Sequence, residues 1–153
     1  MKSCGRYIPI PPVILFVLAG LMWLISLGHI WMFSFSGQLF VALGIGLFGL
    51  FVVILSKRLF HKAKTTWTPF RPETSTTLVV CGLYRFSRNP MYVGLLLILI
   101  AWGVFLGDFL ALLLIPLFII PMNRFQIIPE EHALESLFGD EYKNYKSRVR
   151  RWI

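Results

Sequence analysis

Residues 91–122 read MYVGLLLILIAWGVFLGDFLALLLIPLFIIPM, an apolar stretch that is interrupted by a charge only once, at Gly107-Asp108. A single helix over the whole stretch would place the Asp108 carboxylate at the centre of a bilayer, which is energetically costly. The interruption therefore predicts a tight turn between two short membrane spans, residues 91–106 and 109–122. We interpret the stretch as a helical hairpin.

Two further uncharged apolar runs precede this hairpin, at residues 12–33 and 38–56. A helix needs about 20 apolar residues to cross the hydrocarbon core of a bilayer, and both runs are close to that length. The second run contains Gly44, Gly46 and Gly49, small residues that let another helix approach closely and that would also allow a homo-oligomer to form. The sequence thus predicts an all-α, multi-pass membrane protein with four spans.

The composition argues against a soluble domain. Of the 153 residues, 57% are hydrophobic and only 14% are charged, whereas soluble domains have about 25% charged residues. The net charge of +8 comes from basic residues that flank the apolar runs, so an anionic membrane surface is a better partner than nucleic acid. Cys4 and Cys81 have neither metal-site spacing nor a paired framework.

The distribution of basic residues predicts the orientation in the membrane. Two precede span one, seven lie between spans two and three, and six follow span four, while residues 34–37 and 107–108 have none. Lys and Arg collect on the cytoplasmic side, so both termini are expected there, in a bacterial inner membrane. We divide the chain into a two-span segment, residues 1–56, and a core, residues 57–153.

The polar residues are confined to two segments on this cytoplasmic side, 57–90 and 123–153. The first ends at span three, where Pro90 fits the first helical turn and Asn89 is a candidate N-cap. In the second, Pro129 is expected to open a new helix.

That predicted helix carries Glu130 and Glu131 in its first turn, where the helix dipole favours negative charge, and it should stop near Gly139. Adjacent helical residues point about 100° apart. The two carboxylates therefore cannot address one small group, and we expect one to bind while the other braces an arginine.

A final amphipathic helix is predicted after Gly139, with Asp140 as its N-cap. Its apolar side recurs at helical spacing opposite a basic side, a pattern typical of a helix that lies in the membrane interface. The residues of the apolar side are Tyr142, Tyr145, Val149 and Trp152.

Two motifs at the edges of these spans resemble a known superfamily. The first signature, Tyr84-Arg-Phe-Ser-Arg88-Asn89-Pro90-Met91-Tyr92-Val-Gly94, resembles the R-[HN]-P-x-Y-x-G motif of isoprenylcysteine carboxyl methyltransferases and phospholipid methyltransferases. The second signature, residues 130–145, resembles their E-E-x-x-L-x-x-x-F-G-x-x-Y-x-x-Y motif. They occur in the family's order, and the resemblance covers roughly residues 65–150.

The resemblance implies an integral membrane methyltransferase that uses S-adenosylmethionine as its cofactor and acts on a small or lipophilic acceptor. It also implies which residues contact that cofactor, on the cytoplasmic side of the last spans. They are Thr76, Thr77, Leu78, Val79, Tyr84, Asn89, Pro90, Met91, Tyr92 and Glu130.

The sequence departs from the superfamily at two positions, Asn89 and Gln126. Asn89 stands where many relatives have His, and an amide cannot titrate, so no general base is expected there. Gln126 stands where the prenylcysteine enzymes have an arginine that is assigned to the substrate, although Arg124 is near enough to orient an anionic acceptor in its place. The acceptor atom, the general base and the pathway therefore stay open.

Methyl transfer from a sulfonium needs an in-line nucleophile, a dry site and aromatic or carboxylate groups near the cation, and it needs no metal. None of His29, His61 and His132 stands out as a base. Two other functions stay open. One is a sterol-reductase-like enzyme that uses NADPH, although such proteins are much longer; the other is a non-enzymatic membrane scaffold.

Overall fold

The computed structural model describes residues 10–62 and 78–153, and this part of the chain is helical, with no strand beyond a single bridge between Met32 and Asp108. The predicted all-helical class is confirmed. The helices are α1 (Ile10–Ser26), α2 (Gln38–Lys62), a 3₁₀ helix (Gly82–Arg85), α3 (Pro90–Leu106), α4 (Phe109–Leu112), α5 (Pro116–Pro121), a π-helix (Met122–Ile127), α6 (Ile128–Phe138) and α7 (Asp140–Arg148).

Two stretches are long and apolar enough to cross a membrane, Gln38–Leu59 and Phe109–Phe138. Pro11–Ser26 and Pro90–Leu106 are equally apolar in character but shorter. Large side chains on the outside of α1 and α2 are exposed, among them Phe16 and Phe40. A continuous apolar surface of this kind marks contact with a membrane or another protein, which fits a membrane location.

The first predicted span is too long, because α1 ends at Ser26 rather than at residue 33. The Ser26 hydroxyl donates to the Trp23 carbonyl, and His29 adopts a left-handed φ of 49°. The chain then runs beside the hairpin turn, where the Phe33 amide donates to the Gly107 carbonyl at 2.7 Å. Pairing with a distant segment thus ends the helix within an apolar run.

The second span begins at Gln38 as predicted but continues to Lys62, beyond its expected end at residue 56. Gln38 also ties the start of α2 to the end of α3, because its side-chain amide donates to the Val104 carbonyl at 2.8 Å. The extension adds Lys57 and Arg58 to the helix. The boundary at the first charged residue was wrong because Lys and Arg are themselves good helix formers.

The predicted hairpin turn at Gly107-Asp108 is confirmed. α3 ends at Leu106, and Gly107 has the left-handed φ of 64° that favours glycine. Asp108 is fully buried, and its Oδ1 accepts hydrogen bonds from the amides of Leu110 at 2.8 Å and Ala111 at 3.4 Å. The carboxylate therefore caps α4.

The last predicted span, 109–122, is not one straight helix. α4 ends at Leu112, α5 begins at Pro116, and the π-helix continues directly into α6. Pro129 and the two glutamates lie in the first turn of α6, as predicted, but the π-helix runs directly into that turn and Ile127 supplies no side-chain cap. Proline cannot donate a regular helical hydrogen bond, and here the irregular turn ends just before it.

α2 and α3 form the main helix pair through glycines. A methyl group added at Gly94 would lie 2.7 Å from the Gly49 carbonyl oxygen and 2.6 Å from Val53 Cγ2. The predicted close approach at span two is thus satisfied within the chain, by α3, at Gly49. An added methyl at Gly44 meets nothing within 4 Å.

The C-terminal helices differ from the prediction in two details. α6 stops at Phe138 and Gly139 has a φ of 52°, as expected for a stop at glycine. Asp140 is not the N-cap: Gly139 occupies that position, and Asp140 Oδ1 instead accepts from Lys143 Nζ at 3.1 Å. α7 ends at Arg148, so Val149 and Trp152 lie beyond it.

Candidate functional site

The predicted site residues gather at the N-terminal end of α3. Pro90 occupies the first helical turn and Asn89 the N-cap position, as predicted. The Asn89 side chain does not cap, however, because its Nδ2 donates to the Arg151 carbonyl at 3.0 Å. Its backbone amide donates to Ser87 Oγ at 3.1 Å. Asn89 therefore joins the loop before α3 to the C-terminus.

The centre of the site is a pair of side chains from the two signatures. Tyr92 Oη donates to Glu130 Oε2 at 3.0 Å. The Gln126 side chain, one helical turn before Glu130, lies close to both of them. Tyr92 and Gln126 are buried, while Glu130 keeps partial access to the surface. Among the described residues, the Glu130 carboxylate thus contacts uncharged groups.

Tyr84 lies beside this pair, on the 3₁₀ helix, and is 5% exposed. Its hydroxyl is hydrogen-bonded to Ser56 of α2. Burial, together with the nearby charge of Glu130, raises the pKa of the Tyr84 phenol well above its usual range. The phenol stays protonated at neutral pH and acts as a hydrogen-bonding group rather than a base.

Glu131, the neighbour of Glu130, has an entirely different environment. It is 6% exposed and pairs with two arginines. Arg88 Nη1 lies 3.1 Å from Glu131 Oε1, and Arg151 donates through Nε at 3.0 Å and through Nη2 at 2.8 Å. These hydrogen bonds raise the pKa of Arg151. The expectation that one glutamate of the pair braces an arginine is confirmed.

The two tyrosines of the second signature, Tyr142 and Tyr145, lie on α7 beside the first signature. Tyr145 Oη donates to the Tyr84 carbonyl at 2.7 Å, and its ring lies 6.1 Å from that of Tyr142. Tyr142 is 2% exposed, and burial raises the pKa of its phenol to about 12. Tyr142 and Tyr145 are three residues apart, so both rings lie on the side of α7 that faces the first signature.

The remaining predicted residues lie in several environments. Thr76 and Thr77 are outside the described residues. Leu78 and Met91 are half-buried, and Val79 is buried. Arg124 is exposed, with its guanidinium 6.0 Å from the centre of the Phe125 ring. The residue of this π-helix that lies beside the Tyr92–Glu130 pair is Gln126, not Arg124.

Sequence reasoning missed the side chains that support the site from a distance. Ser56 is a lone polar residue at the edge of span two, and that position was its only signal. Arg151 and Trp152 were treated as surface charge and interface anchor. Nothing in their spacing indicated that the chain folds back after α7.

The chain is similar in sequence to a known protein family and to individual proteins. The sequence profile of the phospholipid methyltransferase family matches residues 37–141. A protein-S-isoprenylcysteine O-methyltransferase of Schizosaccharomyces pombe is 36% identical over 72 residues, which is 47% of this chain and 30% of that protein. A probable protein-S-isoprenylcysteine O-methyltransferase of Oryza sativa subsp. indica is 28% identical over 124 residues, 81% of this chain and 62% of that protein.

A third relative is an uncharacterized protein of Haemophilus influenzae, 57% identical over 63 residues, which is 41% of this chain and all of that protein. No solved structure matches the chain. The chain spans less than two thirds of the length of the two isoprenylcysteine enzymes. The profile match includes the first signature and most of the second.

Proposed function

We propose that this chain, which belongs to the phospholipid methyltransferase family, is an integral membrane enzyme that transfers a methyl group from S-adenosylmethionine to a small or lipophilic acceptor. The cofactor would supply a methyl group activated by a positively charged sulfur. The residues of the chain would bind it, orient it and exclude water.

One observation carries the proposal: the two adjacent glutamates have opposite electrostatic environments. Glu131 is neutralised by Arg88 and Arg151. Glu130 contacts the neutral Tyr92 and Gln126, and within residues 10–62 and 78–153 no cation pairs with it. A partly buried carboxylate without a cation is costly. It suits a ligand that brings its own positive charge, and S-adenosylmethionine carries both an ammonium group and a sulfonium.

The aromatic residues around Glu130 fit the same ligand. Tyr84 and Tyr92 lie close to the carboxylate, and aromatic faces attract cations when both are desolvated. We propose that Glu130 holds the polar end of the cofactor and that these tyrosines shape its pocket. Asn89, Pro90 and Met91 at the start of α3, with residues 76–79 before it, would complete the walls.

The acceptor is constrained because two of these positions, Asn89 and Tyr84, supply no base. Asn89 cannot titrate, and the Tyr84 phenol stays protonated at neutral pH. An ammonium acceptor must lose a proton before it can attack, whereas a carboxylate is already ionised. This favours an anionic acceptor. The names of the isoprenylcysteine O-methyltransferase relatives agree with oxygen as the acceptor atom. Arg124, exposed on the π-helix, is our candidate to orient such an acceptor.

We further propose four membrane spans with both termini in the cytoplasm of a bacterium, and a division at residue 56. The support is the charge distribution: residues 27–37 and the Gly107-Asp108 turn carry no Lys or Arg. These segments meet at the C-terminal end of α3. The signature residues lie at its other end, which puts the site on the cytoplasmic side.

The test is isothermal titration of the detergent-purified protein with S-adenosylmethionine and, separately, with NADPH. Binding of S-adenosylmethionine alone is expected. Binding of NADPH alone would favour the reductase alternative. Binding of neither, by protein that circular dichroism shows to be helical, would favour the scaffold and contradict the proposal.

A further inference from the structure

After α7 the chain turns back across the site, and three consecutive residues, Arg150–Trp152, contact three separate elements. The Arg150 carbonyl accepts from the Arg88 amide at 2.9 Å. The Arg151 carbonyl accepts from Asn89 Nδ2 at 3.0 Å and from Ser87 Oγ at 3.4 Å. This backbone pairing fixes the loop that leads into α3.

The side chains of the same segment reach the other half of the site. The Arg151 guanidinium binds Glu131 of α6 through two hydrogen bonds. The Trp152 indole donates to Asn123 Oδ1 of the π-helix at 3.0 Å, and its ring packs against the core cluster that contains Tyr92. The segment therefore connects the loop before α3 to the helix that carries Gln126 and Glu130.

We propose that Arg150–Trp152, which we call the C-terminal strap, sets the distance between the two halves of the cofactor site, and that Arg151 is its main positioning residue. The inference rests on the proposed function. Neither signature includes the strap, since the second ends at Tyr145. Arg151 would act through Glu131 and Asn89, each of which adjoins a residue assigned to the cofactor.

The roles of the two arginines at Glu131 are unequal, which is why Arg151 is assigned this task. Arg151 makes both directional hydrogen bonds to the carboxylate. Arg88 is close enough to form an ion pair, but its Nε and Nη1 find no hydrogen-bond partner in the described part of the chain. Bidentate pairs fix orientation as well as charge. Loss of Arg151 would leave the direction of Glu131 undefined, and Glu130 is its neighbour on the same turn.

The test compares Arg151→Ala, Arg151→Lys and Arg148→Ala by titration with S-adenosylmethionine. Arg148, at the end of α7, is exposed and gives the same change in net charge. We expect Arg151→Ala to weaken binding about tenfold or more, because it removes the hydrogen-bonded partner of a buried carboxylate, that of Glu131. Arg151→Lys keeps the charge without the planar fork and should recover part of the affinity. Arg148→Ala should bind like the parent.

A double-mutant cycle separates positioning from general stability. In a Glu131→Gln background, Arg151→Ala should have little further effect on affinity, because the contact it removes is already lost. An Arg151→Ala protein that binds S-adenosylmethionine like the parent would contradict the proposed role of the C-terminal strap. Equal losses of affinity in the parent and Glu131→Gln backgrounds would contradict it as well. If Arg151→Ala does not fold, Arg151→Lys is the variant to judge, and parent-like affinity in it would also overturn the strap. Absence of binding by the folded parent protein would instead overturn the proposed function.

Discussion

The two ends of α3 are held in different ways, and each has a buried acid beside it. At the C-terminal end most contacts are between backbone atoms: the Phe33 amide with the Gly107 carbonyl, and the Phe109 amide with the Trp31 carbonyl at 3.0 Å. The Gln38 side chain adds one hydrogen bond to the Val104 carbonyl. The buried acid there, Asp108, caps its own next helical turn. This end is held together by the chain itself, and Asp108 Oδ2 is the one oxygen of the cap that has no hydrogen-bond partner among the described residues.

At the N-terminal end a backbone contact between Arg88 and Arg150 is joined by contacts between side chains that come from distant parts of the chain. Glu131 is neutralised by Arg88 and Arg151, while within residues 10–62 and 78–153 Glu130 next to it has only neutral partners. An acid that caps a helix serves the fold. An acid whose charge is left uncompensated beside a fully paired one indicates a site for a cation, and this difference distinguishes a structural end from a binding end.

The largest effect should come from Glu130. Glu130→Gln keeps the size of the side chain and removes its charge, so affinity for S-adenosylmethionine should fall about tenfold or more, since pairs with a charged group are worth roughly 1.5–3 kcal/mol. Glu135→Gln on the same helix is the matched control, because Glu135 forms a surface pair with Lys146. Titration calorimetry measures the affinity of both variants for S-adenosylmethionine. Equal affinities would contradict the assignment of Glu130 to the cofactor site.

Gly94→Ala should break the packing that supports both ends. The added methyl would lie 2.6 Å from Val53 Cγ2 and 2.7 Å from the Gly49 carbonyl, and overpacking of this kind costs about 1–3 kcal/mol. Thermal unfolding in detergent, followed by circular dichroism, measures it. Gly44→Ala, where the space is open, is expected to be neutral or slightly stabilising. A destabilised Gly44→Ala protein would show that the loss is not specific to the α2–α3 contact.

Asp108→Ala tests the structural end. The loss of a side-chain cap costs about 0.5–2 kcal/mol, and asparagine caps as well as aspartate. We therefore expect Asp108→Ala to unfold at a lower temperature, Asp108→Asn to restore most of the stability, and both to bind S-adenosylmethionine like the parent. Weaker binding by a folded Asp108→Asn protein would mean that the two ends of α3 are coupled.

The smallest effect is expected at Tyr145. Tyr145→Phe removes only the hydrogen bond to the Tyr84 carbonyl, and such a bond contributes about 0.5–1.5 kcal/mol. Unfolding in detergent should show a loss of this size. No change in the unfolding temperature would mean that the contact between the two signatures depends on ring packing alone.

Local patterns in the sequence predicted the parts of the fold that depend on local physics. The start of α2, the whole of α3 and the turn at Gly107-Asp108 follow from apolar runs, a glycine and one acid. The end of α1 does not, because residues 31–33 leave the helix to pair with residues 107–109. The π-helix and the break after Leu112 were likewise not predicted. An apolar stretch with prolines does not indicate which backbone carbonyls lack a helical hydrogen bond.

The candidate site likewise contains residues that the sequence predicted and residues that only the fold reveals. Resemblance to a family assigned Tyr92 and Glu130 to one cofactor site, and the structure places them in contact at 3.0 Å. Arg151 had no such signal. Its role depends on the chain reversing after α7, and only the folded structure shows that its carbonyl and its guanidinium face the two halves of one site.

Hydrogen–deuterium exchange of the full-length protein, with and without S-adenosylmethionine, tests the contrast between the two ends most directly. We predict slower exchange on ligand addition in peptides covering residues 84–92, 126–131 and 149–153, with no change at residues 27–36 and 105–112. Protection confined to the second set, or unchanged exchange everywhere in folded protein at saturating ligand, would contradict the assignment of the N-terminal end of α3 as the binding site.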